Sequence, residues 1–257
     1  MNLRHVLLLL GVALIVLSVA AGQPIVDDLV KTFLAARLVE RAREHLIARE
    51  WDAAAQALSQ AVHCRPEDKT FQLEVRTLLS EILVQQKRWQ EGAKVLEGAL
   101  QAGGEDNWII RSRLAYCYAK LGRLAQAERL YQENLQKFPD NPEVYNELGY
   151  FYAERGIHLN KALALIQKAL RQKPYAGHIV DSLGWVYYQK GRLEEAEQEL
   201  ERAATLTANQ PNAEILYHLA VVYAARKKVE QAREKLQEAL KLEPDYAEAQ
   251  ALWEQLR

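Results

Sequence analysis

The sequence predicts an all-α fold built from repeated helix pairs, and three observations support this. The 257-residue chain is dominated by Ala, Leu, Glu, Gln, Lys and Arg, the residues that form helices most readily. It contains only 12 Gly and 7 Pro, which is few for the many turns of an all-β sandwich or barrel. A similar pattern of small and apolar residues recurs at an interval of about 35 residues, which is typical of stacked repeats.

Composition also excludes several classes of protein. The 33 Lys and Arg residues are balanced by 34 Asp and Glu residues, giving a net charge of −1. The chain therefore has no basic field that would attract nucleic acid, and we expect no nucleic-acid partner. With 49% hydrophobic residues it has enough apolar material for a folded core. Two cysteines are too few for a disulfide framework or a Cys-based zinc module.

The N-terminal residues 1–23 are predicted to be a membrane anchor or a signal peptide. Val6–Gly22 is an apolar run of 17 residues whose main interruption is Ser18. This is the lower limit of length for a spanning helix, and slightly more than the apolar region of most signal peptides. Small residues at positions 20–22 fit a cleavage site before Gln23. Both alternatives remain open, and the terminal position disfavours a buried core helix.

The charges flanking this run indicate an orientation. Arg4 precedes the apolar run, whereas the first charged residues after it are Asp27 and Asp28. Because positive flanks are retained in the cytosol, we expect the rest of the chain on the extracytoplasmic or periplasmic side. The Lys and Arg residues between positions 31 and 43 act against this orientation.

Residues 24–257 are predicted to form a helical repeat array. Leu-Gly-x-x-Tyr begins at Leu148 and again at Leu183, and Ala replaces the Gly in the copies at Leu114 and Leu219. Each copy is followed by an alanine on a second helix, and these alanines are 35, 34 and 36 residues apart: Ala127, Ala162, Ala196 and Ala232. Two weaker copies precede these four. The predicted repeats are about 35–68, 73–106, 108–141, 142–176, 177–212 and 213–246, followed by a capping helix at 245–257.

This pattern resembles the tetratricopeptide repeat, whose period is about 34 residues. The resemblance implies a right-handed solenoid of about six helix-turn-helix repeats. Small residues such as Gly184 and Ala196 would let the two helices of a repeat approach closely. Gly122, Gly156 and Gly191 lie where the first helix of a repeat should end, a usual place for a left-handed cap.

The resemblance also indicates where a ligand would bind. In this family the concave groove is lined by positions two, five, nine, twelve and thirteen of the first helix. We therefore expect a peptide-binding groove in repeats three to six, lined by Tyr116, Asn146, Tyr150, Asp181, Trp185, Tyr188 and Tyr217. The aromatic residues would supply apolar contact area, and Asn146 and Asp181 would bind the segment's backbone. The alternative is that the aromatic residues only pack against neighbouring helices. In the members of the family that bind chaperone tails, basic residues and asparagine at such positions bind a carboxylate of the tail. This sequence does not carry those residues, so a co-chaperone function is disfavoured.

The function expected from these features is a non-enzymatic protein-binding scaffold. The segment Asp181–Tyr188 looks like repeat proteins of bacterial envelopes, so assembly of a pilus, secretion or cell-wall complex is a plausible context. A cytosol-facing scaffold that regulates a membrane enzyme or a lipid-synthesis pathway is the alternative. No phosphate-binding loop, nucleophile motif or metal-ligand spacing is present in the sequence, so we expect no enzyme activity, no metal and no cofactor.

Overall fold

The computed structural model describes residues 24–256 of the chain. The predicted membrane anchor or signal at residues 1–23 lies outside the described residues. Within residues 24–256, no helix is both long enough and apolar enough to cross a membrane.

The described part of the chain is entirely helical and contains no strand. The α-helices in residues 24–256 are α1 (Pro24–Ile47), α2 (Trp51–Cys64), α3 (Lys69–Gln85), α4 (Trp89–Gln101), α5 (Trp108–Lys120), α6 (Leu124–Lys137), α7 (Pro142–Glu154), α8 (Leu159–Gln172), α9 (Gly177–Gln189), α10 (Leu193–Leu206), α11 (Ala213–Ala225), α12 (Val229–Leu242) and α13 (Ala247–Gln255). A short 3₁₀ helix, Gly104–Asp106, precedes α5. This architecture confirms the all-helical repeat prediction, while the individual repeat limits stay predictions.

Asparagine and aspartate side chains fix where several of the first helices begin. Asn141 Oδ1 accepts a hydrogen bond from the backbone N–H of Glu143 at 3.0 Å. Asn212 Oδ1 accepts from the backbone N–H of Glu214 at 2.8 Å. Asp68 does the same for α3. Such caps satisfy backbone donors that have no partner inside the helix.

The chain divides into two compact units, and the division falls within α6. In the first unit, up to residue 130, α1 packs on α2, α3 packs on α4, and α2 and α4 pack on the helices that follow them. Its core is formed by small and branched apolar side chains such as Ala54, Leu58, Ala61, Leu79 and Leu83. The alanines allow close helix contact, and the leucines fill the space between helices.

The described residues of the second unit, from residue 131, contain the end of α6, three helix pairs and a final helix. The pairs are α7 with α8, α9 with α10, and α11 with α12, and α13 packs on α12. The first helices of these pairs also contact one another in sequence, α7 with α9 and α9 with α11. This places the first helices side by side, so that residues at equivalent positions share one face.

The turns inside the helix pairs use left-handed backbone conformations. Gly122, Gly156 and Gly191 have φ values of 75°, 65° and 73°, as predicted for helix caps that need a residue without a Cβ. Arg49, Lys87 and Lys227 take the same conformation at the equivalent turns, with φ near 60°. The sequence did not indicate these three turns, because each residue carries a Cβ there. His158, with φ 48°, takes up the extra residue in the turn before α8.

Candidate functional site

One face of the second unit brings together aromatic and polar side chains from α7, α9 and α11. We call it the aromatic face and define it by Asn146, Tyr150, Asp181, Trp185, Tyr188, Glu214, Tyr217 and His218. Asn146 and Tyr150 are four residues apart on α7, as are Asp181 and Trp185 on α9. Residues four apart lie on one side of a helix, so each helix contributes a stacked pair to the same face.

A buried ion pair joins α9 to α11 at the centre of this face. Nδ1 of His218 lies 3.0 Å from both Oδ1 and Oδ2 of Asp181. Both side chains are more than nine-tenths buried. Burial opposes a charge on the imidazole, but the charge and hydrogen bond of the Asp181 carboxylate outweigh this and raise the pKa of His218. The pair therefore locks two neighbouring repeats in register.

Aromatic rings stack on the ion pair. The indole of Trp185 lies 4.1 Å from the His218 ring, centroid to centroid, with only 19° between the planes. The Tyr188 ring stacks on Trp185 at 4.8 Å, and Tyr217 approaches His218 at 5.9 Å. Tyr246, at the start of α13, lies 5.1 Å from Tyr217. These half-buried rings form a continuous rigid surface with low side-chain entropy, which suits contact with a ligand.

A second polar link crosses the face from α7 to α11. The Tyr150 hydroxyl donates a hydrogen bond of 2.5 Å to Oε1 of Glu214. Burial, the charges of Glu214 and Asp181, and this hydrogen bond hold the pKa of Tyr150 well above its usual value. Tyr150 is therefore neutral at physiological pH, and its hydroxyl remains a donor.

Two polar atoms on the face are buried and have no hydrogen bond within residues 24–256. These atoms are the amide oxygen Oδ1 of Asn146 and the indole nitrogen Nε1 of Trp185. The Asn146 residue as a whole is only 8% exposed. A buried polar atom without a partner costs about 1–3 kcal/mol. One acceptor and one donor on adjacent helices thus lack the partners that a bound main chain could supply.

Six of the seven residues that the sequence placed in a groove lie on α7, α9 and α11 of the second unit. Tyr116, the seventh, lies on α5 in the first unit. There it makes an edge contact of 5.5 Å with Trp89, and the Lys120 ammonium lies 5.2 Å from its ring. Asp181, which we expected to bind a ligand backbone, has both carboxylate oxygens engaged by His218. The binding role of all seven residues stays a prediction.

Sequence reasoning missed His218 and Glu214. His218 stands in no motif or metal-ligand spacing of the sequence that would single it out. Its pairing depends on a residue 37 positions earlier, which no local motif indicates. Glu214 could have been found, because it occupies position two of the sixth repeat, one of the positions that line the groove.

Neither a metal-ligand cluster nor a cysteine with a lowered pKa is found among residues 24–256. No three His, Cys, Asp or Glu side chains of that range converge on a point that could hold an ion. Cys64 and Cys117 are free thiols. Cys117 is fully buried, and burial raises the pKa of its thiol to about 11, so it is a small core residue rather than a nucleophile.

Comparison with known proteins agrees with this fold. The family described as "Tetratricopeptide repeat" matches residues 39–107 and 77–142. The family described as "Cilia and flagella-associated protein 70 middle TPR-like domain" matches residues 112–243. These matches cover more than half of the chain. The protein belongs to the tetratricopeptide repeat (TPR) proteins.

Two curated relatives share part of this sequence. The "TPR repeat-containing protein PA4667" of Pseudomonas aeruginosa is 34% identical over 173 residues, which are 65% of this chain and 27% of that protein. The "Protein CTR9 homolog" of Arabidopsis thaliana is 27% identical over 182 residues, which are 69% of this chain and 16% of that protein. The chain thus spans only about a quarter or less of the length of these relatives.

Solved structures show the same fold. The Cut9–Hcn1 complex of the APC/C matches with a TM-score of 0.63 and 17% identity, over 97% of this chain and 52% of that one. PilW, described as a "widely conserved type IV pilus biogenesis factor", matches with a TM-score of 0.61 and 18% identity. That match covers 85% of this chain and 97% of PilW. At these identities the likeness establishes the fold alone.

Proposed function

We propose that this protein is a non-enzymatic scaffold that binds an extended protein segment on the aromatic face. The observation that carries the proposal is the buried amide of Asn146, whose Oδ1 has no hydrogen bond in the described chain. An extended segment supplies main-chain N–H donors at regular spacing. The rings of Trp185 and Tyr188 beside it would contact the segment's apolar side chains.

The second part of the proposal is that the scaffold helps to assemble an envelope complex, held at the membrane by residues 1–23 or exported by them. The apolar run Val6–Gly22 and its flanking charges support this location. The similarity in fold to a type IV pilus biogenesis factor makes pilus, secretion or cell-wall machinery the context we favour.

Site-specific crosslinking in native membranes tests the binding site. A photoreactive amino acid at Tyr188, on the aromatic face, should capture a discrete partner, and Trp185→Ala in the same chain should abolish the capture. The matched control places the photoreactive group at Gln198, which is exposed on α10 away from the first helices. Equal capture from both positions would refute a specific site on the aromatic face.

A reporter fusion tests the location. Alkaline phosphatase fused after the C-terminus should be active if the repeat array is outside the cytosol. An inactive phosphatase, together with an active cytosolic reporter at the same position, would instead support the cytosol-facing scaffold that regulates a membrane enzyme or a lipid-synthesis pathway.

A further inference from the structure

Negative charge is in excess on and beside the aromatic face. Glu214 and Glu248 lie at the first turns of α11 and α13. Both are exposed, and neither has a cationic partner within residues 24–256. Glu214 accepts only the neutral hydroxyl of Tyr150. Within residues 24–256, neither carboxylate forms an ion pair, although the charge of Glu214, after the opposing effect of burial and the larger effect of Asp181, also helps to raise the pKa of the buried His218.

Two other carboxylates of this region have cationic partners. Asp181 is paired with His218. Glu154, at the end of α7, is paired at 2.8 Å with Arg155, whose guanidinium packs 4.3 Å from the Phe151 ring. His218 and Arg155 are thus each held by a carboxylate of the described chain.

The pKa values of Tyr217, on the face, and Tyr246, beside it, are raised in part by these carboxylates. Burial first, and then the charge of Glu248, raises the pKa of Tyr217. Burial and the charges of Glu214 and Glu248 likewise raise the pKa of Tyr246. The carboxylate charges thus act on these tyrosines, and a neutral aromatic ring attracts a cation to its face.

From this arrangement we infer that the segment bound on the aromatic face presents a lysine or arginine side chain, which lies against the rings of Trp185, Tyr188 and Tyr217 with its charge next to Glu214. The inference rests on the proposed function and specifies the chemistry of the partner. A basic side chain has an apolar stem that packs on aromatic rings and a charged end that reaches a carboxylate. The uncompensated charge of Glu214 and Glu248 favours such a ligand over a neutral or acidic one.

The unpartnered Asn146 amide, more than nine-tenths buried, is an independent sign that a ligand covers this face. It lies one turn before Tyr150 on α7, so it is on the same side of the helix as the hydroxyl that contacts Glu214. If a main-chain N–H of the bound segment donates to Asn146, the side chains that follow it along the segment would extend across the rings toward α11. One extended segment can therefore satisfy the amide and place a cation at Glu214.

The test is selection of binding peptides from a displayed library of random linear peptides on the full-length protein. Peptides whose capture is lost with Trp185→Ala should be enriched in Lys and Arg relative to the starting library. Replacing the enriched basic residue by Gln in a synthetic peptide should weaken binding about fivefold, the size of a partly exposed ion pair. Glu214→Gln in the protein should weaken binding of the basic peptide by a similar factor. It should hardly change binding of the peptide that carries Gln in place of the basic residue. Glu67→Gln, an equal charge change at an exposed residue of the first unit, should leave both unaffected.

The outcomes separate this inference from the proposed function. If peptides dependent on Trp185 are recovered without enrichment in basic residues, or if Glu214→Gln weakens basic and neutral peptides equally, the face binds segments but the inferred charge is wrong. If no recovered peptide depends on Trp185, segment binding itself is refuted and the charge preference is refuted with it. Loss of affinity for basic peptides as salt rises from about 50 to about 500 mM would support a direct ionic contact.

Discussion

His218 and Asp181 form an ion pair across two repeats, and each is almost fully buried. Both carboxylate oxygens of Asp181 lie 3.0 Å from the same imidazole nitrogen. Because breaking a buried pair leaves an uncompensated charge, removing one partner costs more than the pair itself contributes. The pair therefore holds α9 and α11 at a fixed spacing beneath the rings of Trp185 and Tyr217.

The variant Asp181→Asn should destabilise the protein in a pH-dependent way. A group whose pKa is raised on folding contributes stability at pH values below its unfolded pKa, and that contribution is lost as the pH rises through the folded pKa. The pKa of His218 is raised by Asp181, so the variant should lose about 3–5 kcal/mol near pH 5.5 and clearly less near pH 9. Urea unfolding of parent and variant at both pH values measures this, and an equal loss at both would show that the imidazole is uncharged.

The variants Trp185→Ala and Tyr150→Ala should each weaken partner binding by about 2 kcal/mol or more, since a few aromatic anchors supply most of the binding energy of an interface. Both side chains are only half-buried, so their loss should cost less stability than the 3–5 kcal/mol or so of emptying a buried aromatic site. Affinity for a selected peptide and thermal melting would be measured side by side. Large drops in melting temperature with unchanged affinity would assign both residues to the core.

The variant Gly184→Leu should destabilise the second unit by about 1–3 kcal/mol through overpacking. A Cβ at this position would lie 2.6 Å from Cγ of Leu200 and 3.3 Å from the carbonyl oxygen of Ala196 on α10. The matched control is Ala125→Leu, which also introduces a leucine but at an exposed position of α6. This variant should hardly change the free energy of unfolding. If both variants melt like the parent, the close approach of α9 and α10 is misplaced.

The carboxylate of Glu143 should make the free energy of unfolding depend on pH in the acid range. His178 lies 2.9 Å from it and Lys173 donates at 2.6 Å. The hydrogen bond to His178, supported by Lys173, outweighs burial and lowers the pKa of Glu143 to about 2. A pKa lowered on folding gives stability above the unfolded pKa, and this stability is lost as the pH falls through the folded value.

The parent should therefore lose stability between about pH 4.5 and about pH 2 more steeply than Glu143→Gln. At neutral pH, where the Glu143 carboxylate is charged and paired, the variant should be less stable than the parent. Denaturant midpoints across this pH range measure both effects. Parallel curves for the two proteins would mean that Glu143 titrates normally.

The helix pairs could be predicted from the sequence because their packing depends on small residues at a fixed period. Gly184 and Ala196 are examples, and each lies where two helices meet. The turns at Arg49, Lys87 and Lys227 could not be predicted, since no glycine indicates their left-handed conformation. There the packing of the flanking helices imposes the backbone on residues that disfavour it.

The candidate site was predictable only in part, for a similar physical reason. Repeat positions identified the aromatic side chains, because these follow the period of the first helices. The contacts between Asp181 and His218, and between Tyr150 and Glu214, join residues 37 and 64 positions apart. The second of these skips a whole repeat, and its length depends on how three helices lie beside one another rather than on any spacing in the sequence.

The unpartnered oxygen of Asn146 has a consequence for how this sequence can change over time. Because the free protein carries the energetic cost of that buried acceptor, selection for heat resistance alone would replace Asn146 early with an apolar residue such as Leu. Selection for partner capture would retain it. Directed evolution under these two pressures should therefore diverge first at this single codon, and the point of divergence would reveal what the native lineage has been selected to keep.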